Sequence, residues 1–110
     1  MRIFIKTERF TREAKKLSSN ERKKYILEHK YWVKKIELSG KKIISGYLTN
    51  EFSEPGGGGL LLVQANTYQE AKVLILEDPM IKNNLVTWDL KEWVYVAGTK
   101  INLINEDNPS

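Results

Sequence analysis

Residues 18–40, SSNERKKYILEHKYWVKKIELSG, settle the first question about this chain. Ser18 with Glu21 three places on is the capping-box pattern, which satisfies the free N–H groups at a helix start. Tyr25, Ile26, His29, Trp32, Val33 and Ile36 then recur at spacings of three and four, which draws one apolar stripe along a helix. Lys23, Lys24, Lys30, Lys34 and Lys35 fall between them and take the solvent. The spacing predicts a helix from near Ser19 to Gly40, with His29 in the middle of its buried side.

Strand signals surround this helix. RIFIKT (2–7) alternates and is β-prone, KIISGYLT (42–49) makes a second strand and LLLVQA (60–65) a third. LVTWDLKEWVYVA (85–97) makes the fourth. TYQEAKVLILED (67–78) reads as a second helix, with Thr67 at its N-cap and Glu70 three residues later. The order is β-α-β-β-α-β, the split βαβ or ferredoxin-like arrangement, an α+β fold with a four-stranded antiparallel sheet and two helices on one face. Residues 8–17 are charged and ambiguous. NEFSEPGGGG (50–59) reads as a turn-rich connection, PMIKNN as a short turn, and 98–110 as a polar, loosely held C-terminal tail after a single domain, 1–97.

Both faces of the expected sheet carry large apolar residues. Val86, Trp88, Leu90, Val94 and Val96 share one side of the last strand, and Trp93 and Tyr95 the other. Two helices cover one face only. An uncovered apolar face implies a partner, and a second copy packed sheet against sheet with two-fold symmetry is the economical one. A homodimer through the sheet face is therefore expected.

Composition excludes several classes. The chain has 110 residues, enough to bury about 65% of the surface its unfolded form exposes. It has no cysteine, so disulfides and thiolate chemistry are out, and a single histidine argues against a histidine-based metal site. No metal and no cofactor are expected. No apolar run approaches the roughly 20 residues of a membrane span, and MRIFIKTERF lacks the apolar segment of a signal peptide. A cytoplasmic location is the expectation. Residues 1–48 hold 14 Lys/Arg against 5 Asp/Glu, and the remainder 4 against 9. Such asymmetry can mark a nucleic-acid surface. These lysines come mostly as isolated pairs without interleaved arginine and aromatic residues, so a solvated helix face is the favoured reading and nucleic acid is not.

Two residues are the candidates for chemistry. His29 has the one side chain whose unperturbed pKa lies near neutrality, although a lone histidine on an apolar face is more often a satisfied core residue. Asp78 stands before Pro79, a good start for another helical turn with Asp as N-cap and Pro at N1. Glu77 reads as a solvated acid. The PGGGG run leads into a strand rather than a helix N-terminus, so it is not a phosphate loop. It is a flexible turn, or a place where backbone N–H groups approach a ligand.

Several segments together resemble the YCII-related proteins, small dimeric α+β barrel proteins. They are EHKYWVKKIELSGKK with the following SGY, GGGGLLLVQA, TYQEAKVLILEDPMIKNNLV and LKEWVYV, in order from about residue 25 to residue 96. The resemblance implies a histidine–aspartate pair at an active site, falling here on His29 and Asp78. Gly46-Tyr47 departs from the Gly-Pro found in many members, and residues 8–20 are longer and more charged. Tyr25, Trp32 and Tyr47 are the expected apolar, π-rich wall for a small cyclic or carbonyl substrate. Gly57 and Gly58 are the expected backbone donors for a developing oxyanion. Three functions stay open: a lyase- or isomerase-type enzyme moving a proton on a small organic acid or ring, a non-catalytic homodimer binding a small metabolite, and a basic nucleic-acid-associated protein.

Overall fold

The computed structural model describes residues 2–99. Four strands and four helices follow one another as β1 (Arg2–Phe10), α1 (Arg12–Lys15), α2 (Ser19–Leu38), β2 (Ile43–Thr49), β3 (Pro55–Ala65), α3 (Tyr68–Ile75), α4 (Pro79–Lys82) and β4 (Val86–Trp93). The sheet order is β2-β3-β1-β4, antiparallel at every pairing. This is the ferredoxin-like α+β arrangement expected from the element order.

The ladder decides which side chains meet the helices. Ile43, Val63 and Phe4 form one cross-strand row, and Ser45, Leu61, Lys6 and Leu90 form the next. Phe4 and Val63 are fully buried there, with Leu61 and Leu90 nearly so. Trp32 and Ile36 of α2 and Ala71 and Ile75 of α3 close the core from above. Each large apolar side chain taken out of water contributes about 1.5–3 kcal/mol. A smaller cluster of Ala14, Met80, Leu85 and Val86 ties α1 and α4 to the end of the sheet.

The capping box at Ser18 and Glu21 is formed in both directions, and α2 starts where the sequence places it. Its stripe is narrower than expected. Trp32 and Ile36 are buried and Val33 packs against them, but Ile26 is 47% exposed. The turn of α2 carrying Ile26 lies beyond the core and borders a cleft instead.

Several boundaries differ from expectation. β1 continues to Phe10, because Glu8, Arg9 and Phe10 have partners in β4 at Trp88, Thr87 and Val86. α1 then adds a turn of helix, with Thr11 accepting from the Ala14 N–H. Pro55–Gly59 is strand rather than turn. A Cβ on Gly57 would stand 3.0 Å from both Leu48 Cβ and Leu48 O, and one on Gly58 2.0 Å from the Glu8 carbonyl oxygen, so only glycine lets β3 pass between its neighbours. α3 ends at Ile75 and β4 at Trp93. The β1–β4 ladder ends at Trp93, opposite Ile3 near the start of β1. The expected tail lies outside the described residues from position 100 onward. Among the described residues no helix is long and apolar enough to cross a membrane.

Candidate functional site

The LEDP step resolves into two helix ends. α3 closes with Leu76 as its C-cap, so Glu77 and Asp78 stand outside it. Asp78 takes an extended backbone and caps α4, with Pro79 at its first position and the Met80 N–H donating to Asp78 Oδ1 at 3.0 Å. This connection carries the carboxylate into the interior, where it is fully buried.

Three groups hold Asp78 there. His29 Nδ1 lies 2.9 Å from Oδ1, and the Lys6 ammonium lies 3.0 Å from Oδ2. The Met80 N–H is the third. Burial pushes the carboxyl pKa up. The His29 hydrogen bond, the Lys6 charge and the Met80 N–H outweigh it, and the net direction is below the ordinary value of 3.8. Asp78 is thus an ionised, acceptor-only group.

Lys6 has a second acid beside it. Glu8 Oε1 is 2.6 Å from its ammonium, and the lysine side chain is 1% exposed. Glu8 fits because Gly59 faces it across the ladder: a Cβ on Gly59 would stand 2.8 Å from Glu8 Cγ and Oε2. The Lys6 ammonium is therefore held between two carboxylates, one of which contacts the imidazole. The sequence reading passed over Lys6 and Glu8. Strand parity carried the signal: Lys6 and Glu8 share a face with Phe4, the helix-covered side.

The far ring nitrogen is also engaged. His29 Nε2 lies 2.8 Å from the hydroxyl of Ser45, an exposed residue on the helix-covered face of β2. Because both Asp78 oxygens only accept, a neutral ring carries its proton on Nδ1 and leaves Nε2 bare. Ser45 then donates to Nε2. Glu8, Lys6, Asp78, His29 and Ser45 form one chain of contacts, deepest at Lys6 and Asp78 and open at Ser45.

The other expected site residues are spread around this line. The Trp32 ring stands 5.6 Å from the imidazole, tilted by 39°, and belongs to the core. Tyr47 is 67% exposed and opposite Gly59. Gly57 and Gly58 lie between β2 and β1 within β3. Tyr25, one turn before His29, lines a cavity of about 250 Å³ together with Phe10, Leu17, Ile26, Met80 and Leu85, with Lys15 and Arg22 as its charged members. His29 does not line that cavity. Met80, whose N–H donates to Asp78, does line it. Among the described residues no group of three or more His, Cys, Asp or Glu side chains could hold a metal ion.

The fold has a solved counterpart in 5-chloro-2-hydroxyhydroquinone dehydrochlorinase (TftG) from Burkholderia phenoliruptrix AC1100, in complex with 2,5-dihydroxybenzoquinone. The TM-score is 0.59 at 14% identity, over 86% of this chain and 95% of that one. At this identity the likeness shows a shared fold. No protein-family model matches the chain. No curated protein matches it.

Proposed function

We propose that this chain is a YCII-related enzyme of the lyase or isomerase kind, working in the cytoplasm, that moves a proton on a small organic acid or cyclic substrate. His29 is the acid/base and Asp78 its orienter. The observation that carries this reading is the 2.9 Å contact between His29 Nδ1 and Asp78 Oδ1, with the far ring nitrogen meeting the exposed Ser45 hydroxyl. A carboxylate on Nδ1 fixes the tautomer and leaves Nε2 to take a proton, a role typically worth about 10²–10⁴ in rate. Trp32, Tyr25 and Tyr47 supply the apolar surroundings, and the backbone of Gly57 and Gly58 the donors for developing negative charge. The dehydrochlorinase supports the reading through shared fold alone, which is analogy. It nonetheless nominates hydroxylated and chlorinated hydroquinones as the first compounds to try.

The test is solvent deuterium incorporation. The protein is incubated in D₂O with a panel of hydroxyhydroquinones and small oxo acids, and exchange or elimination is followed by NMR. Wild type is expected to exchange at least one member, and His29→Ala to lose about 10²–10⁴ of that rate. A rate untouched by His29→Ala places the chemistry elsewhere.

A non-catalytic homodimer that binds a small metabolite is the second reading. The Ser45 contact favours it: with Nε2 already held at 2.8 Å, an incoming group must displace the hydroxyl before it can exchange a proton. Saturable binding without exchange would select this reading. Both readings place the second copy on the uncovered sheet face. Ile44, Leu62 and Ile5 form an apolar row across β2, β3 and β1 there, and Trp93 lies on the same side.

A further inference from the structure

Ser45 has no task in the proton-transfer reading, yet its surroundings are those of an activated nucleophile. A serine hydroxyl needs a base within about 2.6–3.2 Å, and that base needs a third group to orient it. Here Ser45 Oγ is 2.8 Å from His29 Nε2, and His29 Nδ1 is 2.9 Å from Asp78 Oδ1. The neutral tautomer that Asp78 imposes makes Nε2 the acceptor, so the hydroxyl proton already points at the base. We propose that Ser45, His29 and Asp78 form a Ser–His–Asp nucleophilic triad that takes the acyl group of a small activated ester.

Three further observations support it. The orienting acid is pinned: Lys6 at 3.0 Å and the Met80 N–H at 3.0 Å fix both Asp78 oxygens, so the carboxylate cannot turn from the ring. The three groups stand on separate elements, with Ser45 in the hydrogen-bonded part of β2 opposite Leu61, His29 within α2 and Asp78 at the cap of α4. The exposure gradient also suits the task, since Asp78 is fully buried and Ser45 is exposed. Tyr47, two residues on along the same face of β2, gives a planar acyl or aryl group a surface to lie on. Triads are recognised by geometry and roles, and their order along the chain is not fixed.

The chemistry balances with water alone. Ser45 Oγ attacks the ester carbonyl carbon while its proton passes to His29 Nε2. The tetrahedral adduct collapses, the bond to the leaving oxygen breaks, and that oxygen takes the proton from Nε2. Water then gives its proton to Nε2 and attacks the acyl-serine. Collapse of the second adduct returns the proton to Ser45 and releases the carboxylic acid. The inference uses the contact geometry and does not depend on the lyase or isomerase reading.

A fluorophosphonate tests it, because such reagents phosphonylate activated serines and leave ordinary ones. The full chain is treated with the probe, and adducts are read by intact mass and peptide mapping. One adduct at Ser45 is expected. Ser45→Ala should abolish it, and His29→Ala should slow it by about 10²–10⁴-fold. Ser45 is exposed, so the alanine variant should fold, and circular dichroism checks that it does. No adduct under conditions that label a known serine hydrolase would overturn the proposal. So would an adduct on another residue, or labelling of Ser45 at an unchanged rate in His29→Ala. The deuterium assay separates the two functional claims. Labelling without exchange leaves the triad and removes the proton-transfer reading, and exchange without labelling does the reverse.

Discussion

Lys6 is the residue on which the site depends for its shape. An ammonium 1% exposed between two acids, at 2.6 and 3.0 Å, is stable only while both partners stay. Removing one partner of a buried ion pair generally costs about 3–5 kcal/mol, because the survivor is left without compensation. Lys6→Met should therefore unfold in urea with a loss of about 3–5 kcal/mol. Adding Glu8→Gln should recover part of it, giving a non-additive double-mutant cycle. Additive losses would mean that Glu8 and Lys6 do not interact. Asp78 sets the pH dependence. Its folded pKa lies below its ordinary value of 3.8, so near that value the unfolded chain binds more protons than the folded one. Its contribution is fully present above about pH 4 and is lost as pH falls through the folded pKa. Urea midpoints from pH 3 to 7 should show this acid-side decline, and Asp78→Asn should lack that component. A lone histidine and an Asp-Pro step are conspicuous in sequence, a family resemblance paired His29 with Asp78, and the fold brings the two into contact. Sequence reading missed Lys6, Glu8 and Ser45, since in strands only parity, and then the register of the ladder, says which polar side chains turn inward.

The elements that place these residues owe as much to what is absent as to what is packed. β3 reaches β1 through a run of glycines whose missing side chains leave room for Glu8. Gly58 has φ +88, a region that costs other residues about 1–3 kcal/mol, and the Glu8 carbonyl would block any Cβ there. Gly58→Ala should lower Tm by roughly 10 °C or more in a thermal melt. Gly59→Ala separates strain from crowding. Its added methyl would press on the Glu8 side chain, so the loss should shrink when Glu8→Ala is added. The glycines read as a flexible turn in sequence because that is where glycine runs usually occur. A strand made of them forms only where neighbouring backbones press close, and a local reading contains nothing about neighbours. The α2 start needed no such knowledge: its capping box satisfies its own N–H groups within four residues.

At the scale of the whole molecule, the sheet has one face under helices and, among the described residues, one without. Trp93 is 45% exposed and Ile44 55% exposed on the uncovered side. An apolar area of this kind is the usual mark of an interface. Trp93→Asp should convert a dimer into monomers, or into aggregates, by light scattering after size-exclusion chromatography. A wild-type monomer, or an unchanged mass in the variant, would remove the sheet-face dimer. Lys91 and Asp89 also lie on this face, beside Ile5 and Thr7, so the edge toward β4 is polar and the apolar row runs toward β2.

The order of the four strands and the two longer helices, the start of α2, the core positions Trp32 and Ile36, and the cap at Asp78 followed from the sequence alone. Each depends on residues within a few positions of one another, where periodicity and capping act directly. Tertiary structure decided the rest: how far β1 and β4 extend, that glycines form a strand, and that a lysine, two acids, a histidine and a serine converge. Those outcomes depend on backbones and side chains that are distant in sequence, such as the 49 residues between His29 and Asp78. The free energy that brings them together comes from the shared core rather than from any local pattern.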